Sequence, residues 1–250
     1  MERRLVAAIA CRNQGSRLYG KPLQNLDVDS GVRILDNILN CLQTIPCIDE
    51  VVLGISTGIE NEVFKYLAQD RGLKYVIGDE HDVLSRLVEC GKLANATDIF
   101  RVTSESPFLF YEPVEELWKQ HIEKGLDATF LDEIIDGTGF EIMSQSALEI
   151  SHDRGNERHR SEHCSLYIRE NKSDFKISKI ICPNALNRKD LRLTVDNPED
   201  LVVCRILFKT FQEEAPRFSI QKMIDYLDSR KDLRDLIAPF TEIGYSTMSR

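Results

Sequence analysis

The 250-residue chain reads as an α/β protein, one domain on a mostly parallel sheet with helices on both faces. Three features predict this. Short apolar runs of strand length alternate with amphipathic stretches of helix length. The leading runs are apolar at consecutive positions rather than every second one, as expected of strands covered on both sides. No linker-like segment divides the chain, and its length suits one large domain or one domain with a sizeable insert.

Taken in order, Leu5–Cys11 (LVAAIAC) reads as the first buried strand. It opens after two arginines, as a signal peptide would, but the apolar run is only one strand long and meets Arg12 instead of a small-residue cleavage site. Arg33–Gln43 reads as a helix, with Ile34, Leu35, Ile38, Leu39 and Leu42 on one face. Glu50–Ser56 (EVVLGIS) is a second buried strand, and Glu60–Asp70 a helix ended by Arg71-Gly72. Lys74–Ile77 is a short strand, Asp82–Ala94 a helix, Ile99–Thr103 a strand and Pro113–Lys124 a helix. On that last helix Trp118 is spaced with Leu117 and Ile122 as a core or interface side chain. Such a β-α-β-α order calls for parallel strands with helical crossovers.

The second half is less regular. Asp127–Leu131, Phe140–Met143, Phe175–Cys182 and Arg192–Val195 are expected as strands, and Arg158–Asn171, Glu199–Gln212 and Ser219–Asp228 as helices. The irregular stretch 133–190 reads as an insert within a single domain spanning 1–250, and as a surface for pairing with a second subunit.

A net charge of −9 repels a phosphate backbone, which disfavours general nucleic-acid binding. No run of about 18 apolar residues exists, so no membrane span is expected. Seven cysteines without a CxxC pair argue against a disulfide framework or a zinc site and suit a reducing cytoplasm.

The chemistry concentrates where the first strand ends. In an open α/β sheet, ligands bind at the loops leaving the carboxyl ends of strands. Here Arg12, Arg17 and Lys21 lie within ten residues with no acid among them, interspersed with Gly15, Ser16 and Gly20. Arginine grips phosphate oxygens with a planar fork and lysine adds a point charge, while glycines let backbone N–H groups approach an anion. The alternative is a solvated basic loop. Neither GxGxxG nor GxxxxGK[ST] is present, which disfavours a dinucleotide dehydrogenase and a P-loop kinase.

With Arg12, Ser16, Arg17, Leu18, Lys21 and Leu23 in place, this loop resembles that of the nucleotide-sugar cytidylyltransferases, R-x-x-x-S-[KR]-R-L-x-x-K-x-L. The likeness is to the branch named for spore-coat polysaccharide biosynthesis, related to the CMP-Kdo and CMP-sialic acid synthetases. Four further segments carry it: Gly78–Arg86 (G-x-x-x-D-V-L-x-R), Arg101–Pro107 (R-[IV]-T-G-D-C-P), Glu162–Ile168 (E-H-V-T-x-Y-I) and Arg192–Leu201 (R-x-T-[IV]-D-T-P-E-D). The resemblance implies a Rossmann-like nucleotidyltransferase domain with a β-rich and helical dimerisation insert.

It also implies transfer of CMP from CTP to a sugar acid, Kdo-like or sialic-acid-like, with release of pyrophosphate. The alternatives are a phosphorylated or phosphonate small-molecule acceptor, and a degenerate relative that binds a nucleotide without reacting. Carried over, Arg17 and Lys21 hold the triphosphate with Arg12, Gly15 and Ser16, and Glu105 and Asp196 hold Mg²⁺, which favours one or two carboxylates plus phosphate oxygens. A homodimer is expected from the family's habit. The chain departs from the family at Ser104-Glu105, where Gly-Asp is usual.

Several residues carry two readings. Arg86 is either a nucleotide or acceptor contact or the partner of Asp82 in an i, i+4 ion pair. Asp196-Asn197-Pro198-Glu199 is also a good helix start, with Asn197 as the cap and Asp200 either a supporting group or a first-turn acid. His159 and Glu162-His163 match the inverted zinc-protease signature H-x-x-E-H, a low-information pentamer expected to hold no zinc.

Overall fold

A computed structural model describes residues 3–15 and 17–248, with side chains described as far as 241. Seven strands form one sheet: β1 (Leu5–Cys11), β4 (Glu50–Ser56), β5 (Lys74–Gly78), β6 (Asp98–Arg101), β7 (Ala128–Asp132), β8 (Glu141–Ser144) and β9 (Ile177–Ile181). Their order is β5-β4-β1-β6-β8-β7-β9. All neighbours are parallel except β8, which runs antiparallel to both β6 and β7. A small hairpin, β2 (Asn25–Asp27) with β3 (Val32–Arg33), precedes the first helix.

The run LVAAIAC is apolar throughout because β1 feeds two cores. Leu5, Ala7, Ile9 and Cys11 pack on one face with α1 (Ile34–Gln43), α2 (Glu62–Asp70), α4 (Val114–Glu123), α8 (Pro198–Thr210), α9 (Ile220–Ser229) and α10 (Lys231–Met248). Val6 and Ala8 point to the other face, against α3 (Val83–Leu93), α5 (Gln145–Arg154) and α7 (Leu166–Glu170). Trp118 belongs to the first core. All seven cysteines are free, and no helix of the described residues is long and apolar enough to cross a membrane.

Differences from the sequence reading cluster in the second half. Residues 133–190 supply β8 and β9 to the main sheet, together with α5 and α7. The helix expected over 158–171 is broken into α6 (Glu157–Arg160) and α7, because Ser161 and Cys164 turn the chain between them. Arg192–Val195 is not a strand; its one sheet-like contact is a bridge between Arg192 and Asp136.

The strand order places the site. From β1 the chain moves outward through β4 to β5, then returns past β1 to β6. Loops leaving β1 and β6 therefore diverge, opening a crevice at the carboxyl edge between them.

Candidate active site

The loop leaving β1 is held by the segment after β4. Asn13 is buried; its N–H donates to Asn61 Oδ1 at 2.8 Å and its side-chain amide to the Glu60 carbonyl. Gln14 donates to the Glu60 carboxylate. The loop then turns back, Gly20 N–H donating to the Asn13 carbonyl at 2.9 Å, and Lys21–Leu23 form a short 3-10 turn on buried Pro22. Gly15 permits this path: a Cβ there would stand 2.4 Å from the Leu18 carbonyl oxygen, closer than real side chains tolerate. Ser16 lies outside the described residues.

The loop's cations converge on Asp196. Lys21 Nζ lies 2.8 Å and an Arg17 guanidinium nitrogen 3.3 Å from Asp196 Oδ1. Arg192 donates to Asp196 Oδ2 at 2.6 Å. Burial pushes the Asp196 carboxyl upward, but Lys21, Arg17 and Arg192 outweigh it and hold the group below the ordinary aspartate value. Arg12 stands apart from this group, exposed and 3.7 Å from Glu162.

Asp196 sits at a helix entrance. Asn197 is the N-cap of α8 and Pro198 its first residue, as the sequence suggested. Asp200 closes a capping box, its Oδ2 accepting from the N–H of Asp196 at 3.0 Å and of Asn197 at 2.8 Å.

Glu105 follows β6, in a loop that lies against the segment of Asp196. Its carbonyl accepts from Val195 N–H at 3.0 Å, and Ser106 donates to Thr194 Oγ1 at 3.2 Å, so the segments carrying the two expected metal-holding carboxylates are bonded neighbours. Ser104, which replaces the family glycine, is buried and donates to Glu105 Oε2 at 3.2 Å. Among the described residues no group of three His, Cys, Asp or Glu is placed to share an ion. Magnesium needs no such set, since one or two carboxylates with phosphate oxygens and water suffice. Glu105 and Asp196 fit that pattern, provided Lys21 and Arg17 can leave Asp196 Oδ1.

Arg86 does not pair with Asp82. Asp82 instead caps α3, accepting from Ser85 N–H at 2.8 Å, and meets His152 at 2.9 Å. Arg86 is 1% exposed and donates to the carbonyls of Cys11 at 3.2 Å and Gly54 at 2.8 Å. It thus ties the carboxyl ends of β1 and β4 directly beneath the basic loop. Gly78 makes room for it: a Cβ there would lie 2.7 Å from Arg86 Cγ.

The protease-like pentamer is explained locally. The helix ends at Arg160, so His159 and His163 do not share a helical face. His159 accepts from Asn156 N–H at 3.0 Å and meets Glu170 at 2.8 Å.

Two groups at this edge escaped the sequence reading. One is the buried Arg192 with Asp136. The other is Glu141, bridging Arg101 at 2.7 Å and Arg169 at 3.0 Å, with Arg169 also bidentate to Asp132 at 3.0 Å. Arg192 and Arg101 both head recognised segments and could have been noticed. Asp136, Glu141 and Asp132 lie where no periodicity marks them.

A protein-family model described as cytidylyltransferase matches residues 6–238. The chain is similar to the spore coat polysaccharide biosynthesis protein SpsF of Bacillus subtilis, 25% identical over 229 residues, covering 90% of this chain and 94% of that one. Among solved structures, a cytidylyltransferase from Leptospira borgpetersenii superposes with a TM-score of 0.82 at 20% identity, covering 93% of this chain and 97% of that one. A CMP:2-keto-3-deoxy-manno-octonic acid synthetase solved with CTP superposes with a TM-score of 0.62 at 14% identity, covering 83% and 99%. The family match spans nearly the whole chain, and the protein belongs to the cytidylyltransferase family, a family of nucleotidyltransferase enzymes.

Proposed function

We propose that this enzyme transfers CMP from CTP to a sugar acid of the Kdo or sialic-acid kind and releases pyrophosphate. The observation that carries the proposal is the convergence of Lys21 and Arg17 on Asp196 at the crevice beside β1. A triphosphate entering there would take over both cations, freeing a carboxylate oxygen as it does so. Support for CTP comes from the family model and from the nucleotide in the synthetase structure; support for a saccharide acceptor comes from SpsF, a spore coat polysaccharide biosynthesis protein.

In this reading an acceptor oxygen attacks the α-phosphorus of CTP. A new O–P bond forms, the attacking hydroxyl gives up its proton to solvent, and the bond from that phosphorus to the bridging oxygen breaks, its electron pair leaving with pyrophosphate. Lys21 and Arg17 orient the triphosphate and neutralise charge that grows on the leaving group. Gly15, Ser16 and Arg12 complete the phosphate loop, and Arg86 braces it from below. Glu105 and Asp196 would hold Mg²⁺, which supplies positive charge to the phosphate oxygens when bound. A second reading, a phosphorylated or phosphonate acceptor, is favoured by Arg12, an exposed cation whose partner Glu162 is 3.7 Å away. Such an acceptor attacks as an anion and requires no base.

The protein is further proposed to work in the cytoplasm, consistent with its free cysteines, and as a homodimer. The deciding experiment is pyrophosphate release from a panel of four nucleoside triphosphates with Kdo-like, sialic-acid-like, phosphorylated and phosphonate acceptors, with and without Mg²⁺. Metal-dependent turnover of CTP with a sugar acid is expected. Turnover confined to another triphosphate or acceptor class overturns the assignment. Light scattering on the same sample should give twice 28.7 kDa.

A further inference from the structure

Arg192 is 2% exposed, one of the two largest fully buried side chains, and it lies behind the carboxylate at the centre of the site. Its guanidinium donates two hydrogen bonds and has two further carboxylates as charge neighbours. One nitrogen donates to Asp196 Oδ2 at 2.6 Å and another to the Phe240 carbonyl on α10 at 2.9 Å. Its Nε faces Asp200 Oδ1 at 3.3 Å and Asp136 Oδ2 at 3.8 Å. No ligand in the crevice could touch a group so enclosed.

Resting on the reading proposed above, we infer that Arg192 is a positioning residue that makes Asp196 a one-oxygen donor. A free carboxylate can rotate and offer either oxygen or both. Here Oδ2 is tied by Arg192 on the buried side, and the Asp196 N–H is tied by Asp200. Oδ1 alone faces the loop, where Lys21 and Arg17 now meet it. When triphosphate draws those cations away, Oδ1 is already aimed at the space they leave. Magnesium is strict about geometry and gains from a ligand that need not be reoriented.

A planar fork is required for this work. Lysine in place of Arg192 keeps the charge among three acids but offers one nitrogen, which cannot hold Asp196 Oδ2 and the Phe240 carbonyl together in fixed directions. The Phe240 contact extends the device, since it ties the carboxylate's orientation to where α10 packs.

The test compares full-length wild type with Arg192→Lys, with Mn²⁺ as the spectroscopic stand-in for magnesium. Mn²⁺ binding in the presence of CTP is followed by electron paramagnetic resonance, and CTP binding without metal by calorimetry. The Lys variant should stay folded by circular dichroism and bind metal-free CTP as wild type does. Its affinity for Mn²⁺ with CTP should fall about tenfold or more. Adding the change to Asp196→Asn should lower that affinity no further. Should Arg192→Lys not fold, the paired variant Asp136→Asn/Arg192→Gln, which removes an acid with the cation, is expected to show the same loss. Wild-type Mn²⁺ affinity in a folded variant, whatever its melting temperature, overturns the inference. If wild type itself binds CTP without regard to metal, the proposed function falls instead.

Discussion

Two ion clusters lie at the carboxyl edge of the sheet, and they are built as opposites. Around Arg192, one cation is surrounded by three acids, Asp136, Asp196 and Asp200. Around Glu141, one acid is shared by two cations, Arg101 and Arg169, with Asp132 balancing the second. The Glu141 cluster is held by residues of β6–β8 and α7, and Arg169 also stacks on Phe130 at 3.7 Å. The Arg192 cluster has too little positive charge of its own and draws the rest from Lys21 and Arg17, both on a loop. One cluster is therefore finished by the fold, while the other is completed by groups that can be withdrawn. Under the proposed function, substrate exchange belongs in the second kind.

The largest effect should come from Asp196→Asn. Neutralising the carboxylate that gathers the loop should lower pyrophosphate release by two orders of magnitude or more (about 3 kcal/mol) while the chain stays folded. Wild-type turnover from this variant would remove the distinction between the two clusters.

Glu141→Gln should do the reverse, costing stability first. It leaves two arginines without their shared acid, a loss of about 3–5 kcal/mol in urea unfolding. Burial raises the Glu141 carboxyl, yet Arg101 and Arg169 together bring it down to about 2. A depressed carboxyl contributes stability that is complete above the unfolded value of 4.5 and is lost as pH falls through about 2. The gap between variant and wild type should accordingly shrink on acidification below pH 4.5, and a constant gap would show that Glu141 acts through packing alone.

Asp136 should show the opposite sign with a smaller effect. Burial, reinforced by repulsion from Asp196, Asp200 and Glu105, raises it to about 6 against the pull of Arg192. Its contribution is complete below the unfolded value of 3.8 and is lost as pH rises through about 6. Relative to wild type, Asp136→Asn should gain up to about 3 kcal/mol between pH 4 and pH 6. A flat difference across that range would mean that Asp136 is compensated as fully as Glu141 is.

What could be read beforehand divides along similar lines. β1 and β4 have the ends the sequence suggested, since strands buried on both faces announce themselves as unbroken apolar runs. Lys21, Arg17 and Asp196 are noticeable in the sequence because they sit in the loop after a strand and just before a helix cap, where local grammar is strict. The partnership between them was not, because nothing local links a loop near residue 20 to one near residue 196. The fate of Arg86 was hidden for the same reason: Asp82 four residues earlier is the obvious partner, but the slot opened by Gly78 and Gly54 exists only after three strands have packed. α5 carries a weak apolar stripe and was passed over, and α10, with Pro239 inside it, looks interrupted on paper. The small helices α6 and α7 read as one helix, because the turn at Ser161 and Cys164 between them has no Gly or Pro to mark it.

The ion pair between Lys21 and Asp196 joins positions 175 residues apart. A chain growing on the ribosome exposes the basic loop early and its counter-charge only after β9 has been made. At typical elongation of about 5–20 residues per second, the loop spends roughly ten seconds or more with its cations unmatched. β1 likewise waits for β6 before its second neighbour exists. Assembly of the proposed site is thus a late event in biosynthesis, and chains that terminate before α8 would display an unneutralised basic loop on an incomplete sheet.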